Sequence, residues 1–432
     1  MTMIDLGEVN QAPEQVIPVD HRRIRRAVLA AATVVGLLLV GGSARSAPPF
    51  GLRPLWSTAM TGDDQPLFGP DTGYLLRGTE LTAYELADGS VRWTARIPRA
   101  PYPPEPAGEV VLLRSDPITV EQREANGISH TFEFARSTRA LSARTGAELW
   151  RINGEPTVVG GGTALFEEHN GRGDVIRLRL TRLADGATIW ARATPGTWTS
   201  TEGTDRDPAK LITMDPTGKI NIFRYADGAP LGGGRLPAIK SAEVGLSGTG
   251  SLLAVVRQDP DGRATTVLHR LDDLTRLWQT DSDYGINACG PVLCTRDERG
   301  LVGHDPATGR ELWRQPGMRT AWPVGPERLL LDDGAEDDPT YRLIDAATGQ
   351  QLGAAIRGHV LETATPAGSM LVLRRTTQPD GLTSVTRLDL TTGAQTLLGA
   401  LSPVVETSCR SLGRYLACPR DGRLDVLAVA RR

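Results

Sequence analysis

The chain has 432 residues, including 48 glycines and 30 prolines, and 40% of its residues are hydrophobic while 23% are charged. Turn residues this frequent between short apolar runs exclude a mainly helical protein and indicate many short strands. The formal net charge of −3 excludes an electrostatic nucleic-acid-binding protein, because phosphate binding needs a concentrated basic surface.

The N-terminal segment predicts a membrane anchor. Residues 1–26 are polar and end in an arginine-rich run, and residues 27–42 are uncharged and mostly apolar. As a helix this apolar stretch spans about 24 Å, and snorkelling arginines extend it toward a hydrocarbon core of about 30 Å. Positively charged flanks stay in the cytoplasm. We therefore expect a single-pass cell-membrane protein, with a cytoplasmic tail over 1–26, a transmembrane signal-anchor helix over 27–44, a linker over 45–51 and an extracytoplasmic domain over 52–432.

A cleaved signal peptide is the alternative interpretation of this segment. Ala44 and Ser46 place small residues at the positions that a signal peptidase reads. The long polar segment ahead of the apolar run favours the uncleaved anchor. Both interpretations export the rest of the chain.

A repeated phrase organises residues 52–432. It consists of an alternating apolar run, an Asp-Gly or Thr-Gly turn, and a short strand with tryptophan four residues after the glycine. Tryptophan occupies this position at Trp93, Trp150, Trp190, Trp278 and Trp313. The copies with turns at Gly228, Gly349 and Gly393 lack the tryptophan, and Leu274 replaces the glycine ahead of Trp278.

The phrase predicts two antiparallel strands and their turn, because glycine supplies the positive φ of a tight hairpin. Two more apolar runs precede each phrase, for example residues 251–258 and 265–271. Four strands in about 43 residues match one β-propeller blade. The tryptophans are expected to cover the neighbouring blade and not to form a ligand site.

The number of blades follows less directly from the repeat. Eight phrases are present, and Trp56 resembles the outermost strand of a further blade, begun by the C-terminal strands over 414–420 and 423–430. Eight-bladed rings are the commoner form of this repeat, so we expect an all-β, eight-bladed propeller with one degenerate terminal unit, with seven or nine blades left open. The long interval between Gly89 and Gly146 contains a polar insertion at 121–130, which we expect to form a surface loop.

The four cysteines, Cys289, Cys294, Cys409 and Cys418, all lie in the part predicted to be exported. A two-residue turn at Pro291-Val292 would place Cys289 opposite Cys294, and one at Gly413-Arg414 would place Cys409 opposite Cys418. Opposed residues of an antiparallel pair lie within disulfide reach. We expect two disulfides, since the competing zinc site lacks the usual ligand spacing.

The phrase resembles the pyrroloquinoline-quinone (PQQ) propeller repeat, whose pattern is Ala, x, Asp, several residues, Thr-Gly, three residues and Trp. Residues 140–150 match except at Ser142, and Asp305, Thr308, Gly309 and Trp313 match in a later copy. The resemblance covers residues 52–432. It implies either a quinone-dependent dehydrogenase or a non-catalytic scaffold like the outer-membrane assembly lipoprotein of this fold. WD40 repeats are the other candidate, but the sequence contains no Trp-Asp dipeptide.

The sequence offers no motif for catalysis. It has no adjacent cysteines, no Gly-x-Ser-x-Gly elbow and no phosphate-binding loop. The acidic run Asp332, Asp333, Glu336, Asp337 and Asp338 is expected to be a solvated loop. We therefore expect no catalytic, cofactor-binding or metal-binding residues and no cofactor. The expected function is a membrane-anchored scaffold for an envelope protein or small ligand, without nucleic acid; the alternative is a PQQ-dependent dehydrogenase-like oxidoreductase with a divergent site.

Overall fold

The computed structural model describes residues 51–98, 102–123, 129–194, 196–204, 207–237, 243–258, 264–281, 285–361 and 368–430. The predicted tail over 1–26, the signal-anchor over 27–44 and the linker up to residue 50 lie outside the described residues. Among the residues that are described, no helix combines the length and apolar character needed to cross a bilayer.

The described chain forms nine four-stranded antiparallel sheets and one short 3-10 helix, Glu406–Ser408. Each sheet is one blade, numbered from the N-terminus. Blades 1 to 3 contain β2 Gln65–Phe68, β3 Thr72–Arg77, β4 Glu80–Glu85, β5 Val91–Arg96; β6 Glu105–Ala107, β7 Val110–Arg123, β8 Ser129–Ser142, β9 Glu148–Asn153; β10 Glu155–Gly160, β11 Thr163–His169, β12 Val175–Arg182 and β13 Thr188–Ala193.

The remaining blades repeat this order along the chain. Blades 4 to 6 contain β14 Trp198–Thr204, β15 Asp207–Met214, β16 Lys219–Arg224, β17 Pro230–Arg235; β18 Glu243–Thr249, β19 Leu252–Gln258, β20 Ala264–Arg270, β21 Arg276–Asp281; β22 Asn287–Cys289, β23 Val292–Asp297, β24 Gly300–His304 and β25 Glu311–Pro316. Blades 7 to 9 contain β26 Thr320–Gly325, β27 Arg328–Asp332, β28 Thr340–Asp345, β29 Gln351–Arg357; β30 His359–Leu361, β31 Ser369–Thr377, β32 Asp380–Asp389, β33 Gln395–Leu401; β34 Arg410–Leu412, β35 Tyr415–Arg420, β36 Arg423–Val429 and β1 Leu52–Ala59.

The ring closes by pairing the two ends of the described chain. β1 runs antiparallel to β36, from Leu52 opposite Val429 to Ala59 opposite Arg423. Blade 9 is therefore built from both ends, as expected for Trp56. The expected count of eight blades is wrong, because the structure has nine. The copies that lost tryptophan still form complete sheets, since strand pairing does not depend on that side chain.

Buried apolar clusters join each blade to the next. Leu81 of blade 1 packs in one cluster with Val111 of blade 2, and Leu86 of blade 1 packs with Leu424 of blade 9. Clusters of this kind occur at all nine blade interfaces. The core is thus distributed around the ring between sheets.

The two faces of the ring carry different connections. The loops after the first and third strands of each blade lie on one face, called here the turn face. The loops after the second strand and between blades lie on the other, called the arm face, because β7 and β8 are 14 residues each, whereas most strands have six or seven. The predicted loop at 121–130 is partly wrong, since β7 continues to Arg123 and β8 begins at Ser129. The extension over 116–123 and 129–136 is called the arm.

Candidate functional site

The repeat tryptophans lie on the fourth strand of their blades and contact the next blade. Each indole Nε1 donates a hydrogen bond to a backbone carbonyl of that blade. The pairs are Trp93 with Ala143 at 2.9 Å, Trp150 with Leu183 at 2.8 Å, Trp190 with Tyr225 at 2.7 Å, Trp278 with Pro306 at 3.0 Å, Trp313 with Ala346 at 2.9 Å, and Trp56 with Leu86 at 3.0 Å. The tryptophans are spread around the ring and do not converge on a pocket.

The glycine of the following blade's turn lies against each of these indoles. A Cβ on Gly146 would lie 2.6 Å from a ring carbon of Trp93, and a Cβ on Gly349 would lie 2.6 Å from Trp313. Gly146 also has a φ of +72°, which L side chains rarely adopt. Glycine is thus required both by the turn and by the indole of the previous blade. We call this arrangement the tryptophan–glycine contact.

A β-bulge comes immediately before each of these tryptophans. In blade 1, Ala83 pairs with Trp93 but Tyr84 pairs with Val91, so Arg92 is the extra residue. Bulges bend and twist the edge strand, which turns the indole toward the next blade. The extra residue is often aliphatic and half-exposed on the rim, as at Leu149, which is 47% exposed. Sequence reasoning located the tryptophans but did not predict the bulge.

Both predicted disulfides are present. The Cα atoms of Cys289 and Cys294 lie 5.8 Å apart, and those of Cys409 and Cys418 lie 4.3 Å apart. The predicted register is right in the second hairpin, where Leu412 pairs with Tyr415. It is wrong in the first, because Cys289 pairs with Val292 around a Gly290-Pro291 turn. Gly290 has a φ of +67°. The turn therefore consists of Gly290 and Pro291 and lies one residue earlier than predicted.

The disulfides stabilise very short innermost strands. β22 and β34 have three residues each, and so few ladder hydrogen bonds hold an edge strand weakly. Each disulfide joins the chain at such a strand to the second strand of the same blade. The cysteines are buried. Their role is to stabilise the inner wall of blades 6 and 9.

The arm lies on blade 3. The ring of Phe134 stacks on His169 with 4.2 Å between centroids, and Gly173 lies under the edge of Phe134. The backbone N–H of Ala135 donates to Oε2 of Glu155 at 2.8 Å. The arm is thus attached to the ring through an aromatic contact and a half-buried carboxylate.

Two carboxyl groups and an imidazole lie close together on the strands of blade 3 next to the arm, with Glu167 buried and Glu155 half-buried. Glu155 and Glu167 are directly opposed on β10 and β11. Burial raises the pKa of Glu167, and the nearby Glu155 raises it further, while the Thr199 hydroxyl, which donates to it at 2.6 Å, opposes this. Burial also raises the pKa of Glu155, against the Ala135 N–H and the Arg114 guanidinium, which lower it. Burial lowers the pKa of His169.

The acidic run in blade 7 has partners both within its own loop and on blade 8. Asp332 accepts the N–H of Gly334 at 2.8 Å, and Asp333 accepts the N–H groups of Ala335 and Thr340. Asp338 lies 3.7 Å from Arg374. Throughout the described part of the chain, no three His, Cys, Asp or Glu side chains are grouped to hold a metal ion.

Two concave regions lie on the ring surface. A cavity of about 700 Å³ lies at the turn face of blades 9 and 1 to 3, and its apolar lining includes Phe68, Pro106 and Leu412. A groove of about 450 Å³ lies between blades 8 and 9, beside Leu401 and Trp56.

Comparisons with known proteins agree with the repeat. Residues 53–226 match the PQQ-like family model described as outer membrane protein assembly factor BamB. This confirms PQQ-like β-propeller repeats in the chain. No curated protein sequence matches it.

Solved structures resemble the ring at low sequence identity. A eukaryotic initiation factor is 12% identical, with 82% of this chain and 92% of that chain covered and a TM-score of 0.51. BamB from Moraxella catarrhalis is 13% identical, with 87% and 99% covered and a TM-score of 0.38. The C-terminal WD40 domain of Sif2 is 12% identical, with 88% and 99% covered and a TM-score of 0.39. The initiation factor supports the propeller fold alone.

Proposed function

We propose that this PQQ-like repeat propeller is a membrane-anchored, extracytoplasmic scaffold that binds an envelope protein without catalysis. The observation that carries the proposal is the arm, a long ribbon held against a closed ring. Binding residues commonly lie on loops positioned by a rigid scaffold. The assembly-factor description of the matching family model supports a protein partner.

The anchoring part of the proposal rests on the sequence over 27–44 and on the disulfides. Disulfides form and persist in oxidising compartments, and both cysteine pairs are bonded. In intact cells of the source type, we expect the full chain to remain with membranes after alkaline extraction and its ring to be digested by external protease once any outer barrier is opened. Release of the chain from membranes by alkali would contradict anchoring. Protection of the ring from protease, together with cytoplasmic proteins, would contradict export.

Site-specific photo-crosslinking in cells tests the partner surface. A photoreactive residue at Thr119 or Glu121, both exposed on the arm, should give an adduct with one protein. The matched control is Val91, which is 57% exposed on the outer rim of blade 1 and should give none. Equal adducts at all three positions would show non-specific contact and would count against the arm as the binding surface.

The alternative is a PQQ-dependent dehydrogenase-like oxidoreductase. Trp198 and Trp322 lie outside the repeated phrase, on innermost strands β14 and β26, where such an enzyme would need an aromatic surface for the quinone. The calcium that accompanies the quinone has no grouped ligand set in the described residues. Stoichiometric binding of the quinone with calcium to the full chain, accompanied by dye reduction, would overturn the scaffold proposal.

A further inference from the structure

We propose that Glu155, Glu167 and His169 form a proton-binding site that couples attachment of the arm to pH. The three groups share the edge of blade 3 on which the arm lies. Glu155 accepts a hydrogen bond from the arm backbone at Ala135, and His169 is covered by the arm ring of Phe134. Attachment of the arm therefore covers the His169 ring and supplies a hydrogen bond to Glu155, and both groups lie next to Glu167.

The geometry places like charges together. Glu155 and Glu167 are cross-strand partners, and like charges directly opposite each other destabilise a sheet. Glu167 is 8% exposed. The nearby arginines form ion pairs with other carboxylates. Arg179 pairs with Glu168, and Arg114 pairs with Glu105. Both carboxylates of the opposed pair cannot be charged without a cost that an attached arm increases.

The imidazole provides a second place for the proton. Nε2 of His169 lies 3.7 Å from Oε2 of Glu167, and the His169 side chain is 3% exposed. Within the described residues its Nδ1 has no hydrogen-bond partner. The Glu167 carboxyl and the His169 imidazole are thus close enough to share one proton.

The direction in which pH changes the attachment of the arm follows from the pKa shifts of these groups. The carboxyl pKa values are raised in the attached state, so attachment is favoured at low pH and weakens as pH rises through those raised values. The imidazole pKa is lowered, so attachment weakens as pH falls below about 6.5, the value of a free imidazole. Lifting the arm hydrates the charges in both cases. Rising pH thus weakens attachment through the carboxyl groups, which we call the alkaline limb, and falling pH weakens it through the imidazole, which we call the acid limb.

The charged and polar groups that face this cluster are known from each element packed against it. They are Tyr102 before β6, Glu105 on β6, Arg114 on β7, Glu133 on β8, Glu168 on β11, Arg177 and Arg179 on β12, and Thr199 on β14. Of these, Glu105 is ion-paired and lies on the ring, which makes Glu105→Gln the matched control.

Hydrogen exchange of the full chain in detergent, measured by mass spectrometry on the arm peptide over 129–136 and corrected for intrinsic rates, tests the site. In the wild type we expect an opening constant that rises about tenfold per pH unit on each limb, the limit for loss or gain of one proton. Glu167→Gln should remove the alkaline limb, His169→Gln the acid limb, and Glu105→Gln neither. Phe134→Ala should open the arm at every pH, while exchange in blade 6 stays unchanged, which reports a folded ring.

A flat wild-type profile would overturn the proposal, as would an alkaline limb that survives Glu167→Gln. The measurement needs no partner. It deepens the proposed scaffold function by assigning regulation to its arm, but its failure would leave the crosslinking result untouched.

Discussion

Six blade interfaces carry the tryptophan–glycine contact, whereas the interfaces between blades 4 and 5, between blades 7 and 8 and between blades 8 and 9 do without it. Between blades 1 and 2, Trp93 lies against Gly146 and donates to Ala143. Between blades 4 and 5 the tryptophan position holds Gly232, and the facing turn holds Leu274, with a φ of +57°. Both partners of the contact have therefore changed at this interface.

Two of the three interfaces without the contact close the gap in different ways. At blades 4 and 5, the Leu274 side chain reaches back toward Gly234, and Gly248 lets β18 approach β14, where its N–H donates to Ser200 Oγ at 3.1 Å. At blades 7 and 8, a Cβ on Gly353 would lie 2.8 Å from the backbone oxygen of Gly393. Here the backbones themselves are in contact. At these two interfaces the space of the missing indole is taken by a side chain of the next blade, or the two backbones lie in direct contact.

The largest expected effect is at an interface with the contact. Trp150→Ala should lower the free energy of unfolding by about 3–5 kcal/mol, because a buried aromatic group and its hydrogen bond to Leu183 are lost. Trp322, which is 37% exposed on β26, is the control, and Trp322→Ala should cost clearly less. Chemical denaturation measures both, and equal losses would show that the contact is not special.

Gly146→Ala isolates the glycine half of the contact. Gly162→Ala is the matched control, since Gly162 has a similar φ of +77° with nothing within 4 Å of its Cβ position. The control should cost about 1 kcal/mol from backbone strain, and Gly146→Ala about 2–3 kcal/mol more because the methyl group overlaps the Trp93 ring. If the two variants had indistinguishable melting temperatures, the requirement for glycine at Gly146 would come from the backbone conformation alone.

The smallest expected effect comes from installing the contact where it is missing. Gly232→Trp alone should be neutral or destabilising, because the new indole collides with Leu274. Leu274→Gly alone should also be neutral or destabilising, because loss of the leucine side chain leaves a gap. Together they should show a favourable coupling of about 1 kcal/mol in a double-mutant cycle. Additive free energies would mean that the two positions do not replace each other.

The sequence was sufficient for the fold class because every blade repeats the same local signals. Turn glycines and alternating apolar runs predicted the strands, and Trp56 predicted closure through the C-terminal strands. The eight-blade expectation failed because the commoner ring size was preferred to the count of eight phrases plus a closing blade. The copies without tryptophan form full blades, as in blade 7, where Leu343 and Leu352 pair. The disulfide pairs were predictable because each lies within a single hairpin.

The site was less predictable because its contacts join different blades. Trp93 contacts Gly146, which belongs to the next phrase, and alignment of phrases on themselves hides this offset. Part of the arm, over 121–130, was expected to be a surface loop because that segment is polar. The opposition of Glu155 and Glu167 depends on a strand register that polar residues do not reveal.

A crystal structure of residues 51–432 would decide the number of blades and the way the ring closes. The account predicts nine four-stranded sheets, with β1 paired to β36 and the Trp56 indole on Gly89. A ring of eight sheets, or a β1 strand that leaves β36 unpaired, would contradict it.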